Sequence, residues 1–269
     1  MKRTDRFKDK VVWITGASSG IGESLARKLD ERGARLILSS NEPAELKRVA
    51  TGLKNAKTDV MILPLDLDKI PTLASKGRKV LARFGRVDIL INNGGISQRA
   101  LAENTTIPID VRIMNTDFLG HVALTKSILP SMLARRSGHI VVTSSIMGKM
   151  YTPLRSTYCA AKHALHGFFD SLRSEVWKQN VHVTIVCPTG VSTSISLNAL
   201  TSGGRKYRRM DEAQSKGMTP DECADEIVRA IAGMKEEAII GKGFIRYASY
   251  VRRFFPGIYS RLIRSAKIT

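Results

Sequence analysis

Val11-Val-Trp-Ile-Thr-Gly-Ala-Ser-Ser-Gly-Ile-Gly22 is an apolar run that turns through three glycines into an amphipathic stretch. The first five residues read as a buried strand. Ile21 to Arg32, with Leu25 and Leu29 on one face, reads as the helix that follows. The turn between them has the spacing G-x-x-x-G-x-G. Gly16 permits the tight turn, Gly20 lets the backbone approach a ligand, and Gly22 lets helix and strand pack closely. A turn of this kind presents the free N–H groups of a helix start to a pyrophosphate. Glycine-rich turns often only make a corner; the position directly behind a buried strand is what points to dinucleotide binding.

Outward from that turn the alternation continues. Arg35–Ser39, Val60–Leu65, Val87–Ile91, Gly138–Thr143, Val181–Val186 and Ala238–Gly241 read as further strands, with helical periodicity between them. Strands apolar on both faces and separated by helices make an α/β fold, a Rossmann-type doubly wound parallel sheet of about seven strands in a single domain. The expected division is a dinucleotide-binding catalytic domain over residues 1–241 and a basic aromatic segment over 242–269.

Composition narrows the class. A chain of 269 residues with 43% hydrophobic and 25% charged residues is an ordinary globular protein, which excludes disorder, collagen and coiled coil. Cys159, Cys187 and Cys223 are too few and too scattered for a disulfide framework or a zinc site, so no metal is expected. A net charge of +19 favours an anionic partner. Basic charge without any base-reading module does not make a nucleic-acid binder. Neither a membrane-spanning run nor a secretory h-region follows Met1-Lys-Arg, so the expectation is an intracellular protein, cytoplasmic or peripheral on an organelle membrane.

Tyr158 and Lys162, four residues apart, share a face if Ser156 to Trp177 is helical. A phenol that exchanges protons near neutrality needs its pKa lowered from ~10, and a neighbouring ammonium acts in that direction. Ser145 ends a strand thirteen residues earlier, where its hydroxyl would polarise a substrate oxygen. Alone, such a Tyr-Lys pair is usually an exposed helix pair; here it follows the glycine turn.

Asn92-Asn-Gly-Gly95, Asn115 in Met-Asn-Thr-Asp-Phe-Leu-Gly120, Ser144-Ser145, Tyr158-Cys-Ala-Ala-Lys162 and Cys187-Pro-Thr-Gly-Val-Ser-Thr193 occur in order behind the turn. With them the sequence resembles the short-chain dehydrogenase/reductase family over nearly its whole length. Asn93-Gly-Gly-Ile-Ser-Gln-Arg and Ser145-Ile-Met-Gly-Lys-Met resemble the member 7/7B branch, which usually carries an N-terminal membrane anchor. No such segment leads this sequence, so that topology is not expected to carry over. The resemblance implies Tyr158 as acid/base, Ser145 as the group that orients substrate, and Lys162 on the ribose and the phenol. Asn115 would hold a water that relays the proton through Lys162. It also implies a dinucleotide along Gly16, Ser18, Ser19, Gly20, Ile21, Gly22, Asn93 and Gly94, with Val191 and Thr193 on the carboxamide and Asp66 on adenine or capping the next helix.

Ser40 stands where an NAD-selecting Asp is expected and Asn41 where an NADP-selecting Arg is common, and Ser19 is uncharged. With no acid at Ser40, a 2′-phosphate is not repelled, and Ser39, Ser40 and Asn41 would donate to it. NADP(H) is therefore favoured; Glu42 would argue the other way if it turned inward, and is read instead as a solvated residue starting the next helix. Thr189 replaces a usual glycine, at a cost if its φ must be positive.

From Ala238 to the end there is no Asp or Glu, but seven Lys/Arg and six aromatics. Phe244, Tyr247, Val251, Phe254, Phe255, Ile258, Tyr259 and Leu262 recur at near-helical spacing, broken at Pro256-Gly257. That reads as a peripheral membrane contact or as a helix packed over the pocket or on a second subunit. Relatives pair through the helices carrying Asn115 and Tyr158, roughly 107–134 and 156–179 here, so a homodimer or homotetramer is expected. The substrate class implied is an apolar ketone or secondary alcohol, steroid, retinoid or lipid-like. The alternative is a non-enzymatic cofactor-sensing or membrane-attached binding protein on the same fold.

Overall fold

The computed structural model describes residues 6–54, 59–243 and 245–265, and the side chains of all of these except residues 212 and 213. Met1 to Asp5, residues 266–269 and Phe244 of the aromatic series lie outside the described residues. Seven strands, β1 (Val11–Thr15), β2 (Arg35–Ser39), β3 (Val60–Ile62), β4 (Ile89–Asn92), β5 (Gly138–Thr143), β6 (Val181–Pro188) and β7 (Glu237–Ile240), form one sheet in the order β3-β2-β1-β4-β5-β6-β7. Every neighbouring pair is parallel, with Val12 opposite both Leu36 of β2 and Ile89 of β4. β3 is shorter than its apolar run, although the Leu63 and Leu65 N–H groups beyond it still donate to the Leu38 and Ser40 carbonyls at 2.9 and 3.0 Å.

The helices divide between the two faces, as the doubly apolar strands require. α1 (Gly20–Asp30), α2 (Pro43–Thr51) and α8 (Pro220–Ala232) bury Leu25, Leu46 and Ile227 against Val12 and Ile14. On the other face α3 (Ile70–Phe84), α5 (Gly120–Ala134) and α6 (Ser156–Val176) bury Leu73, Leu124 and Phe169 against Val11 and Trp13. Alternate residues of β1 thus serve opposite cores. The strand order reverses between β1 and β4, and in an open parallel sheet the crevice beyond the strand ends at that point is where ligands bind.

Two local features set the site. The stretch 107–134, which the family resemblance implies is one long helix, is α4 (Ile107–Met114), a π-helical turn over Asn115–Leu119, and α5. A π turn widens the helix by one residue and rotates every side chain after it, and such turns gather at functional sites. After β7, α9 (Ile245–Phe254) and α10 (Pro256–Ser265) are two separate helices split before Pro256, which cannot continue a helix hydrogen-bond ladder. The short α7 (Glu212–Ser215) lies in the loop between β6 and α8.

Candidate active site

A cleft of about 510 Å³ opens at the C-terminal ends of the strands, at the reversal point. Its floor at β1 is the glycine turn. Gly16 and Gly20 have φ of +64° and +54°, where L side chains are strained. A Cβ on Gly22 would stand 2.0 Å from the Gly16 carbonyl oxygen, so only glycine lets α1 start this close to β1. The loop after β4 is locked onto the same turn. The Thr15 hydroxyl accepts from the Asn93 and Gly94 N–H groups at 2.9 and 3.0 Å, and the Asn93 amide donates to the Thr15 carbonyl at 3.2 Å.

Ser18, Ser19, Gly20 and Ile21 line the cleft, as do Ser40, Asn41, Asp66, Asn93, Gly94, Val191 and Thr193. Gly22 is buried beneath. Asp66 accepts from the Asp68 N–H at 3.1 Å, which caps the turn leading into α3 while leaving it on the cleft wall. Two details differ from the sequence reading. Ser39 is fully buried and its hydroxyl accepts from the Trp13 indole at 2.9 Å, so it does not face a ligand. Glu42 does turn toward the cleft, taking the Ser18 hydroxyl at 3.0 Å. Neither orientation has a signal in local sequence; each follows from how β2 sits on β1.

α6 carries Tyr158 and Lys162 into the cleft, both nearly buried, with the Lys162 ammonium 5.6 Å from the centre of the Tyr158 ring. The start of α6 is fixed from the loop after β4: the Gln98 side-chain oxygen accepts the Thr157 N–H at 2.9 Å and the Tyr158 N–H at 3.4 Å. Ser145 lines the same cleft just past β5, its hydroxyl accepting from the Met147 N–H at 3.2 Å and keeping its own proton free to donate.

Asn115 is the residue the structure moves out. Its amide donates to Asp68 at 3.0 Å, toward α3, and it does not line the cleft. The π turn instead brings Asp117 to Lys162, with Oδ2 and Nζ 3.3 Å apart. The sequence signal was there, a carboxyl among apolar residues two positions on, but an ideal helical wheel gives the wrong face.

Burial works against the Lys162 charge, yet Asp117 and Tyr158 beside it outweigh that and raise its pKa. Next to it His121 is fully buried and donates to the Gly94 carbonyl at 2.8 Å through Nε2. Burial and the Lys162 charge lower it to about 3, so it is neutral.

Opposite, a buried cluster the sequence did not suggest holds the segment after β6. Asp211 takes the guanidinium of Arg99 through both oxygens and that of Arg155 at 2.6 Å. Arg99 also binds Ser97, the Gln98 carbonyl and Ser196. Thr189 has no positive φ; its side chain fills the space over Gly241, where a Cβ would meet the Thr189 hydroxyl at 1.9 Å. The replacement of the usual glycine is thus matched by a glycine at the end of β7.

Comparison with known proteins identifies the family. The family model described as short chain dehydrogenase matches residues 10–202. The chain belongs to the short-chain dehydrogenase/reductase family and is an oxidoreductase of that family. It is 43% identical over 262 residues to a Drosophila melanogaster dehydrogenase/reductase SDR family protein 7-like, covering 96% of this chain and 80% of that one. It is 39% identical over 264 residues to the Bos taurus dehydrogenase/reductase SDR family member 7B, covering 96% and 81%. Among solved structures, a metagenomic short-chain oxidoreductase in complex with NADP superposes with a TM-score of 0.73 at 26% identity, covering 87% of this chain and 97% of that one.

Proposed function

We propose that this protein interconverts a ketone and a secondary alcohol on a bulky apolar molecule, steroid, retinoid or lipid-like, with NADP(H) favoured over NAD(H). The observation that carries the reading is the Tyr158–Lys162 pair, buried together in the cleft that the glycine turn floors. The residues present fit a nicotinamide dinucleotide. The N-terminus of α1 faces the cleft without a side-chain cap, leaving its first N–H groups for a pyrophosphate, and the positive-φ glycines bring the backbone close.

When bound, the nicotinamide supplies or takes up the hydride at the carbonyl carbon. In the reducing direction the Tyr158 phenol gives its proton to the carbonyl oxygen, and the Lys162 ammonium stabilises the phenolate left behind. The Ser145 hydroxyl donates to that same oxygen and fixes its place. Ile146, Met147, Ile195, Leu200 and Ile245 give the substrate side of the cleft apolar walls. Ser40 brings no acid to the ribose, and the Arg48 guanidinium reaches the rim at the Ser18 carbonyl, 3.1 Å away. The missing acid at Ser40 favours a 2′-phosphate; the Arg48 charge is already matched by Glu23 and Glu45, and the Glu42 carboxylate opposes the phosphate. Titration with NADPH and NADH, followed by nicotinamide fluorescence, is expected to show tighter binding of NADPH by about tenfold or more, about 1.4 kcal/mol. Preference for NADH overturns the cofactor assignment; binding of neither leaves the non-enzymatic alternative.

The C-terminal helices suit an anionic lipid surface. Their inner face rests on the active-site end, Tyr259 donating to the Tyr151 carbonyl at 2.5 Å and packing in one cluster with Met150 and Tyr158. Their outer face exposes Tyr247, Tyr250 and Phe254 on α9, and Phe255 at the junction followed by Ile258 and Leu262 on α10, each series at i, i+3, i+7 and each residue more than half exposed. Water-facing aromatics in such number mark a contact surface. Six basic and no acidic side chains between 242 and 265, of which Lys242 and Arg252 also bind Glu222 and the Lys149 carbonyl, support an anionic surface as its partner. Vesicles of phosphatidylserine and phosphatidylcholine are expected to co-sediment the protein, phosphatidylcholine alone much less. The triple variant Phe254→Ser, Phe255→Ser, Leu262→Ser should stay in the supernatant. Equal retention on both vesicle types, or a dimer that the triple variant abolishes, assigns the face otherwise.

A further inference from the structure

Behind the cleft, and not lining it, three side chains with metal-binding donors converge. His166 on α6, Cys187 on β6 and Glu237 on β7 each offer one donor atom, all within 4.8 Å of one another. Among the described residues no other group of three such side chains forms. No spacing along the chain announces it. Residues 166, 187 and 237 meet only because α6 packs where β6 and β7 lie side by side. In the parallel register Glu237 stands opposite Ile185 and Ile239 opposite Cys187, so Glu237 and Cys187 share the sheet face that α6 covers.

The geometry is that of a zinc tetrahedron's edge. His166 Nε2 and Cys187 Sγ are 3.5 Å apart. With Zn–N of ~2.0 Å and Zn–S of ~2.3 Å, two ligands of a tetrahedral zinc stand about 3.5 Å from each other. Both donors sit on rigid elements, and the imidazole is packed on the turn after β5, where a Cβ on Gly148 would stand 2.9 Å from His166 Cδ2. Glu237, on the edge strand and 36% exposed at its side chain, supplies the movable third donor and the way in from solvent. A thiolate and a carboxylate together match the charge of a divalent cation, and a sulfur–nitrogen–oxygen set suits zinc where magnesium and calcium require oxygen. Glu237 is also claimed by a cation of the protein's own: its Oε2, 3.7 Å from His166 Nδ1, takes the Lys149 ammonium at 2.6 Å.

We propose that His166, Cys187 and Glu237 form a zinc-binding site, with water as the fourth ligand, in which the metal competes with the Lys149 ammonium for the Glu237 carboxylate. On binding, the Cys187 thiol gives its proton to solvent, the sulfur, nitrogen and oxygen each donate a lone pair to the metal, and Lys149 swings out to water. Nothing is oxidised or reduced. The site stands apart from the reaction: His166 lies one turn beyond Lys162 on α6, and Cys187 lies two residues before Thr189. A metal there ties α6, β6 and β7 together behind the catalytic pair without entering the cleft.

The test titrates the full chain, first stripped by a chelator, with Co²⁺, whose thiolate charge-transfer absorption reports a metal–sulfur bond, and then with Zn²⁺, which displaces it. A stoichiometric, saturable thiolate band is expected, and Cys187→Ser abolishes it although Cys159 and Cys223 remain. Glu237→Gln is expected to weaken Zn²⁺ binding by about tenfold or more. Lys149→Ala is expected to tighten it by about fivefold, because the competing ion pair is gone. That gain is a shift that loss of structure would not produce. Absence of the thiolate band, or its survival in Cys187→Ser, overturns the proposal and leaves the His166–Cys187 contact as a thiol–imidazole hydrogen bond. Unchanged or weaker Zn²⁺ binding by Lys149→Ala overturns the role of Glu237 as a ligand and the three-ligand site with it. Should Cys187→Ser not fold, the opposite shifts of Glu237→Gln and Lys149→Ala carry the test, and their absence overturns it.

Discussion

Tyr158→Phe lowers turnover of apolar ketones by about 10²- to 10⁴-fold, while affinity for NADPH stays within about twofold. The expectation follows from how little else the substitution changes. The Tyr158 backbone is held by Gln98, and its ring packs with Ile146, Met147 and Tyr259, contacts a phenylalanine keeps. Lys162 keeps both Thr143 and Asp117, so it remains placed for a ribose. Only the proton is lost. Retention of more than about a tenth of the turnover against a panel of apolar ketones, with the variant shown to be folded, means another group protonates the substrate.

Asp211→Ala destabilises the protein by about 3–5 kcal/mol and raises KM. Asp211 is the shared counter-ion of Arg99 and Arg155, which are 1% and 15% exposed at their side chains. Removing the carboxylate leaves two buried guanidinium groups facing each other. Arg155, whose pKa burial and Arg99 already lower, is the less tolerant of the loss. The same carboxylate ties the segment after β6 to the loop after β4, and that segment supplies Ile195, Asn198 and Leu200 to the cleft. The stability change is read as a shift in the urea midpoint, and the loosened wall as KM rising more than kcat falls. A change below about 1 kcal/mol would mean the two arginines find water or other partners, as exposed ion pairs do.

Much of this protein is written locally. The period of β1, the glycine spacing and the Tyr158–Lys162 interval each depend on a few neighbouring residues obeying one geometry, and each lands in the structure where the sequence places it. Gly16 and Gly22 are legible for the same reason: a positive φ and a 2.0 Å approach leave no other side chain possible. The amphipathic series from 245 to 265, split at Pro256, is likewise a property of the chain itself.

What the sequence alone did not determine begins where a side chain's direction depends on something distant. Asn115 and Asp117 are two residues apart, and which of them meets Lys162 is decided by one widened turn. A helical wheel assumes the 3.6-residue period that the turn breaks. Ser39 is lost to a ligand because Trp13 of the neighbouring strand claims its hydroxyl, and Thr189 is accommodated because Gly241, just past β7, leaves it space. Arg99, Arg155 and Asp211, far apart in the chain, share one buried site only once β4, α6 and the loop after β6 have packed. Local periodicity therefore determined the sheet, the glycine turn and the proton-transfer pair. Long-range packing decided the charge around that pair, because a buried charge takes its partners from whatever the fold brings within a few ångströms.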